Sequence, residues 1–304
     1  MMRRFFRMAA IMSGSIMLLG LLVTGAMATE GGGGAYPNGA EDFMAGAVPP
    51  PGTYFLDYFN WYSADRLNNN DGKSSNPDFK LNVTANVFRF LHVTDKTVLG
   101  ANWGMQMFVP ILNVDATVTT PGGKISQSKF GLGDIIIDPV ILSWHFSKNL
   151  HAVFGLDIFL PTGDYDKTRI VNPGRNYYTF EPIIGATYVC DKGYELSGKF
   201  MYDMNTKNSA TNYESGNEFH VDYTFAKHIG PWSLGAGGYY YQQVTDDELN
   251  GNKIDNSRGY ALAIGPQAKY DYKNMSLDLK YQFEVETANR PQGNSLWAKF
   301  VYIF

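Results

Sequence analysis

The sequence has little charge and almost no cysteine for a chain of 304 residues. Charged residues make up 18% of it, whereas a typical soluble domain has about 25%. The one cysteine, Cys190, cannot form an internal disulfide, so cysteine supplies neither a disulfide framework nor a metal cluster. The formal net charge of −4 also gives the chain no electrostatic attraction for nucleic acid, and no nucleic-acid partner is expected.

Long hydrophobic runs are absent after the N-terminal region. Residues 1–28 have the three parts of a secretory signal peptide: arginines near the start, an apolar run from Met8 to about Val23, and the cleavage pattern Ala26-Met27-Ala28. The apolar run is shorter than the roughly 20 residues that cross a bilayer. Because only helices and closed barrels satisfy the backbone in lipid, the remaining chain can enter a membrane only as a barrel. We therefore expect export and cleavage after Ala28.

Aromatic residues, in contrast, are abundant, with 20 Tyr and 20 Phe, yet the mean hydropathy of the chain is slightly negative. A membrane barrel combines these properties because lipid-facing and lumen-facing residues alternate along each strand. From residue 52 onward, about twelve extended segments are joined alternately by short turns and longer polar connections. The longer connections are expected at 63–78, 110–131, 163–176, 205–214, 246–258 and 287–294.

This rhythm predicts an all-β fold, an antiparallel transmembrane β-barrel of about 12 strands in residues 52–304, with short periplasmic turns and long extracellular loops. Within the segments the pattern has a period of two, as in Met275–Glu286, where apolar and polar residues alternate. About twelve strands enclose a lumen too wide for small side chains to fill, so the polar face is predicted to line a wet interior. By the same argument, the apolar row from Leu81 to Val87 is predicted to face lipid.

Twelve polar or aromatic residues on these faces are candidates for lining the lumen. They are Glu195, Lys199, Glu218, His220, Asp222, Tyr239, Tyr241, Lys269, Asp278, Lys280, Glu284 and Lys299. Charges of both signs on facing strands predict a transverse field or a salt-bridged wall, both of which tune selectivity in a pore. The two tyrosines either stack on an aromatic solute or fill space beside the preceding glycines. No metal site and no cofactor is expected.

One cluster admits an enzymatic interpretation. Across neighbouring strands, Lys199 is expected near His220 and Ser197 near Asp222. Outer-membrane lipid hydrolases use a serine and a histidine oriented by a third polar group. Their sites lie at the lipid-facing rim, whereas this cluster is expected to face inward. We therefore predict that the chain has no catalytic residues and is not an enzyme.

Both ends of the mature chain have distinctive compositions. Residues 29–51 are rich in glycine and proline and cannot form a packed element alone. They are expected either to fold into the lumen as a plug or to form a disordered periplasmic tail. At the other end, Phe300, Tyr302 and Phe304 share one strand face. This end resembles the terminal strand that the bacterial barrel-assembly machinery recognises, so that machinery is an expected partner of Phe304.

Several short motifs occur in a characteristic order. They are Tyr36-Pro37-Asn38-Gly39-Ala40-Glu41, Pro49-Pro50-Pro51-Gly52, Gly131-Leu132-Gly133-Asp134, Leu160-Pro161-Thr162-Gly163-Asp164-Tyr165, and Thr211-Asn212-Tyr213 followed by Gly216. Together they resemble the outer-membrane family described as "involved in the meta-pathway of phenol degradation". The resemblance implies a barrel in the outer membrane of a Gram-negative bacterium, linked to the degradation of aromatic or other hydrophobic compounds.

From the residues and the resemblance we expect an outer-membrane channel or transporter for small hydrophobic or aromatic compounds. Its expected partners are the outer-membrane lipid and the transported solute. Two alternatives stay open. One is a structural barrel with a closed lumen whose outer loops bind a partner, and the other is a barrel enzyme that acts on lipid.

Overall fold

The computed structural model describes residues 28–304, so the predicted signal peptide lies outside the described residues apart from Ala28. The described chain contains one short 3-10 turn, Glu30–Gly32, and sixteen strands. The strands are β1 (Gly52–Leu67), β2 (Lys80–Val98), β3 (Ala101–Thr120), β4 (Gly123–Leu132), β5 (Ile136–His145), β6 (Leu150–Phe159), β7 (Thr179–Val189), β8 (Tyr194–Asn205), β9 (Tyr213–Glu214), β10 (Glu218–Ile229), β11 (Trp232–Gln243), β12 (Glu248–Leu249), β13 (Asn252–Lys253), β14 (Tyr260–Tyr272), β15 (Met275–Ala288) and β16 (Pro291–Ile303). Within residues 28–304, no helix is both long enough and apolar enough to cross a membrane.

Thirteen of these strands form one antiparallel sheet that closes on itself. β1 pairs with β2 along one edge and with β16 along the other. β4 and β5 both pair with the same edge of β3, β4 with its second half and β5 with its first half. They therefore occupy one position in the wall, and the barrel has twelve strand positions. The predicted fold class is confirmed, and β9, β12 and β13 form a small separate sheet among the connections.

The connections differ in length between the two ends of the barrel. At one end, the short-connection end, they span 99–100, 146–149, 190–193, 230–231 and 273–274. At the opposite, long-connection end, the strands are joined by 68–79, 160–178, 206–217 and 244–259. This sorting follows the predicted alternation at most positions.

Two of the predicted long connections are wrong. Residues 110–131 continue β3 and form a hairpin with β4, because the consecutive β-branched residues of Thr117–Thr120 favour a strand. The expected connection at 287–294 shrinks to the two-residue turn 289–290. Asn289 adopts a φ of 51° there, a left-handed conformation that asparagine tolerates better than most residues.

The two faces of the wall alternate, but not in the same sense everywhere. On β15 the apolar residues Leu277 and Leu279 are exposed, whereas Asp278 and Lys280 are buried inside. On β2 the sense is reversed, because Ala85, Leu91 and Val93 are buried. The prediction that the apolar row of residues 81–87 faces lipid is therefore wrong.

The inward apolar row of β2 has partners inside the barrel. Leu91 and Val93 belong to a cluster with Tyr54, Leu56, Tyr58, Ile141, Val153 and Trp297. A second cluster contains Tyr36, Ile136, Phe159, Ile183 and Met201. The lumen therefore has an apolar side, mainly β1, β2 and β5, and a polar side, mainly β7, β8, β10 and β15.

Substitution of Leu279 by arginine tests whether the outward apolar face contacts lipid. The side chain is 48% exposed on β15, and arginine on the lipid face of a barrel costs about 2–4 kcal/mol near the bilayer midplane. We expect L279R to lower the free energy of unfolding in phospholipid vesicles by that order. The matched control is Ile125→Arg, near the tip of the β3–β4 hairpin where Ile125 pairs with Val118, which should change stability little. Equal effects of the two substitutions would contradict the assigned lipid face.

Candidate functional site

The lumen contains the chain's own N-terminal stretch, residues 29–51, here called the lumen segment. Its first residue, Thr29, donates its backbone N–H to Oδ2 of Asp247 (3.1 Å), in the connection 244–259 at the long-connection end. Near its other end, the N–H of Val48 donates to Oγ of Ser143 (3.3 Å) on β5, close to the short-connection end. The lumen segment thus traverses the barrel from one end to the other before β1 begins.

Asp222 on β10 is the main anchor of the lumen segment. Its carboxylate accepts hydrogen bonds from the Tyr36 hydroxyl (2.7 Å), the Gly39 N–H (2.9 Å) and the Glu41 N–H (3.0 Å). Asp222 is 1% exposed. A buried carboxylate is stable only when its oxygens are paired, and here the lumen segment supplies the donors.

Two acidic residues of the lumen segment face basic side chains of the wall. Glu41 lies 3.4 Å from Nζ of Lys199 and 3.7 Å from a guanidinium nitrogen of Arg89. The two cationic groups therefore compensate the charge of the buried Glu41 carboxylate. Asp42 forms ion pairs with Lys299 and Lys280. The lumen segment therefore neutralises basic charge on four strands, β2, β8, β15 and β16.

The backbone of the lumen segment also approaches β7 closely. The Gly46 N–H donates to Oγ1 of Thr187 (2.9 Å), and a Cβ atom on Gly46 would lie 2.2 Å from the carbonyl carbon of Ala186. No side chain fits at that distance, so glycine is required for this contact.

Lys280 on β15 also binds the backbone of the lumen segment. Its ammonium group donates hydrogen bonds to the carbonyls of Ala40 and Glu41, each 2.8 Å.

A cavity of about 450 Å³ lies beside the lumen segment on the short-connection side. This size is within the range of small-molecule sites. Its lining combines the apolar side chains of Phe43, Leu56 and Ile141 with the cationic groups of Arg89 and Lys199. The space can thus accommodate a small molecule with an apolar body and a polar or anionic group.

The residues predicted to line the lumen lie on strands β8, β10, β11, β14, β15 and β16. Ten are less than a tenth exposed: Glu195, Lys199, Glu218, His220, Asp222, Tyr239, Tyr241, Asp278, Lys280 and Lys299. Glu284 and Lys269 are partly exposed. Asp278 lies 3.5 Å from Lys299, and Lys269 lies 3.1 Å from Asp271 at the rim.

The two tyrosines are engaged by other groups of the chain. The Tyr239 hydroxyl hydrogen-bonds to Glu284, which also accepts from Tyr62 (2.8 Å). The guanidinium of Arg290 lies over the Tyr241 ring, 4.0 Å from its centroid. Both rings are therefore packed against protein groups in this structure.

The structure does not assemble the hypothetical serine–histidine pair. The β8–β10 register places Lys199 opposite Asp222 and Ser197 opposite Thr224, two residues away from the expected pairing. Ser197 Oγ hydrogen-bonds to Glu195 (2.5 Å) and Thr187 (2.7 Å). His220 contacts Asn38 and Asp203 instead.

Sequence analysis missed several groups inside the lumen. Glu41 and Asp42 lie in a segment whose position the pattern did not determine. Arg89 lies within the inward apolar row of β2 and donates to the Tyr58 hydroxyl (2.8 Å) and to Gln106 (2.7 Å). The sequence did contain a signal for Arg89, because it is the one charged residue in an otherwise apolar row. A charge facing lipid is costly, so this charge indicated that the row faces inward.

Comparisons with known proteins agree with this architecture. The family model described as "Putative MetA-pathway of phenol degradation" matches residues 64–300. Among solved structures, the COG4313 outer membrane channel from Pseudomonas putida F1 is similar in fold, with a TM-score of 0.78 and 17% sequence identity over 87% of this chain and 99% of that chain.

More distant likenesses exist. The β domain of the Bordetella autotransporter BrkA has a TM-score of 0.48 and 11% identity, covering 84% of this chain and 100% of that one. The transport unit of the autotransporter AIDA-I from Escherichia coli has a TM-score of 0.48 and 8% identity, covering 86% of this chain and 93% of that one. No curated protein matches the sequence.

Replacement of Asp222 by alanine tests the main anchor of the lumen segment. It removes the acceptor of three hydrogen bonds, and a hydrogen bond to a charged group contributes about 1.5–3 kcal/mol. We expect D222A to loosen the segment and to speed cleavage by endoproteinase Glu-C after Glu41 at least several-fold, read by mass spectrometry. The control is Asp271→Ala at the rim. An unchanged rate in D222A would show that Asp222 does not hold the segment.

Proposed function

This chain belongs to the family described as "Putative MetA-pathway of phenol degradation", and from that premise we propose that it is an outer-membrane channel or transporter for small hydrophobic or aromatic compounds. The observation that carries the proposal is the closed barrel whose lumen holds a cavity of about 450 Å³ beside the lumen segment.

The chemistry of the cavity supports the proposed class of solute. A phenol-like molecule has an apolar ring and one polar group, which becomes anionic when it loses its proton. Leu56, Leu91 and Ile141 offer an apolar surface, while Lys199 and Arg89 offer cationic donors at the same cavity. A wall of mixed character favours such molecules over sugars or inorganic ions, because burial of an apolar ring contributes roughly 25 cal/mol per Å².

The lumen segment acts in this proposal as a plug. Its hydrogen bonds and ion pairs connect it to β5, β7, β8, β10, β15 and β16, so it divides the lumen along its whole length. Passage past the plug then requires partial undocking or movement along the cavity beside it. We place the short-connection end in the periplasm and the long-connection end outside the cell, as the length of the connections favours.

Other parts of the chain contribute to export and insertion in the same proposal. Residues 1–28 act as the signal peptide, and outer-membrane lipid surrounds the apolar outer face. Phe304 is 75% exposed at the end of β16, with Phe300 on the outward face, which is accessible to the barrel-assembly machinery. We propose no catalytic activity, because the candidate Ser197 and His220 are bonded to other partners.

A structural barrel with a closed lumen is the second candidate function. The observation in its favour is that charged wall residues are already paired with the lumen segment. Conductance distinguishes the channel from the structural barrel, because a barrel whose lumen stays closed passes no current.

Deletion of residues 31–48 in the mature protein tests both the channel and the plug. In planar bilayers we expect the wild-type chain to give a small, steady conductance that phenol reduces in a concentration-dependent manner. The deletion should raise the conductance several-fold, because it removes the chain that divides the lumen. Unchanged conductance after the deletion would show that the lumen segment does not act as a plug. The absence of current from both proteins would favour the structural barrel.

A point substitution makes the same test without shortening the chain. Gly46→Val introduces a side chain where the backbone of β7 leaves no space, so we expect it to displace the lumen segment locally and raise conductance. The control is Pro51→Val, at an exposed position just before β1, which should conduct like the wild type. Equal conductance of both variants and the wild type would show that the contact of Gly46 with β7 does not restrict the lumen.

A further inference from the structure

A cluster of one histidine and two carboxylates lies on the polar side of the lumen, between β8 and β10. Asp203 comes from β8, and Glu218 and His220 come from β10. Each of the three side chains is 0% exposed. One potential ligand atom from each lies within 4.8 Å of the other two. We propose that Asp203, Glu218 and His220 bind a divalent transition-metal cation, Zn²⁺ in the first instance.

The distances between the candidate ligand atoms fit a single coordination sphere. Nε2 of His220 lies 3.1 Å from Oδ2 of Asp203 and 3.4 Å from Oε2 of Glu218. Zinc binds imidazole nitrogen and carboxylate oxygen at about 2.0–2.2 Å. Ligands at that distance in a tetrahedron are about 3.3–3.6 Å apart. The two distances from Nε2 are thus close to those of a tetrahedral site, and the two carboxylate oxygens lie within 4.8 Å of each other.

The second nitrogen of His220 sets the tautomer that a metal requires. Nδ1 lies 2.6 Å from Oδ1 of Asn38, an acceptor on the lumen segment, so in the neutral ring this contact favours the tautomer in which Nδ1 carries the hydrogen and donates it. This leaves the Nε2 lone pair directed at the two carboxylates. Metal-binding histidines commonly donate their other N–H in this way, which orients the ring and raises its basicity.

The carboxylates around Nε2 lack hydrogen-bond donors. Among the described residues, neither oxygen of Glu218 accepts a hydrogen bond, and Oδ1 of Asp203 accepts none. Glu181 on β7 is also 0% exposed, and neither of its oxygens accepts a hydrogen bond from a described residue. The β7–β8 register, with Phe180 opposite Met204 and Ile183 opposite Met201, places Glu181 level with Asp203.

A protonated His220 does not satisfy this cluster. An imidazolium has one N–H left at Nε2, which reaches one oxygen of Asp203, so the Glu218 oxygens stay without a donor. Buried carboxylates without partners are costly, whereas a dication neutralises two charges and binds several oxygens at once. One imidazole with carboxylates also suits a borderline metal such as zinc better than calcium or magnesium, which favour all-oxygen ligand sets.

The site would connect the lumen segment with the wall. Asn38 orients His220, and the backbone at Gly34 passes so close to Glu218 that a Cβ atom there would lie 2.4 Å from Oε2. A bound metal would therefore hold the ligands in the positions against which the lumen segment docks.

Zinc titration of the refolded mature chain, made without a histidine tag and stripped with EDTA, tests the proposal. Isothermal titration calorimetry should show one Zn²⁺ per chain, and Ca²⁺ and Mg²⁺ should bind far more weakly. His220→Asn should weaken zinc binding at least about 100-fold, and Asn38→Ala, which removes only the orienting acceptor, about 10–100-fold. The matched control is His228→Asn. His228 also contacts a carboxylate, Glu195 at 2.7 Å, but no second acidic side chain completes a site there. This variant should bind zinc as the wild type does.

Cobalt supplies a readout that needs no variant. Co²⁺ in place of Zn²⁺ should give the visible absorption of a nitrogen- and oxygen-ligated site, in a one-to-one titration that Zn²⁺ reverses. The proposal is overturned if the wild-type chain binds no stoichiometric Zn²⁺ and shows no such band. It is also overturned if zinc binding survives in folded H220N, or if H228N loses it equally.

Discussion

The antiparallel ladder between β1 and β16 is the interaction on which the rest of the structure depends. It joins the first and last strands of the sheet from Tyr54 to Leu67, so the wall closes at this seam. An open edge in hydrocarbon would leave backbone N–H and C=O groups unpaired, at a cost of several kcal/mol for each. Only after this closure does the molecule have an inside, and only the inside can hold the buried charges that characterise it.

Closure also decides what the preceding chain must do. β1 starts at Gly52 at the short-connection end, and residues 29–51 return through the lumen to the opposite end. The barrel interior contains acids on β7, β8 and β10 and basic groups on β2, β8, β15 and β16. Unpaired, such groups would each be costly to bury. The lumen segment pairs with several of them: Glu41 and Asp42 face the basic groups, and backbone N–H groups donate to Glu195 and Asp222. The segment and the wall therefore stabilise each other.

The sequence alone was sufficient to predict the closed antiparallel architecture, because period-two alternation and the rhythm of turns are local features. It was insufficient wherever orientation or register mattered. Alternation does not say which face points inward, so β2 was predicted with the wrong sense, and its inward leucine and valine residues pack on aromatic neighbours instead. The predicted pairing of Ser197 with Asp222 was wrong by two residues, because the register of two strands depends on the ladder as a whole. Glu41 and Asp42 carried no periodic signal, since the lumen segment has no repeating backbone conformation.

The path of residues 29–51 gives the assembled barrel the topology of a ring on a thread. The thread is continuous with the ring at one mouth only, where Val48 contacts Ser143 and β1 follows. Force applied to the lumen segment from the short-connection end pulls it out of the lumen stepwise, because it breaks the contacts of Gly46, Glu41 and Tyr36 in turn. Force applied at Thr29, from the other end of the barrel, instead loads the first residues of β1 and the β1–β16 ladder. The same segment is thus mechanically weak in one direction and strong in the other.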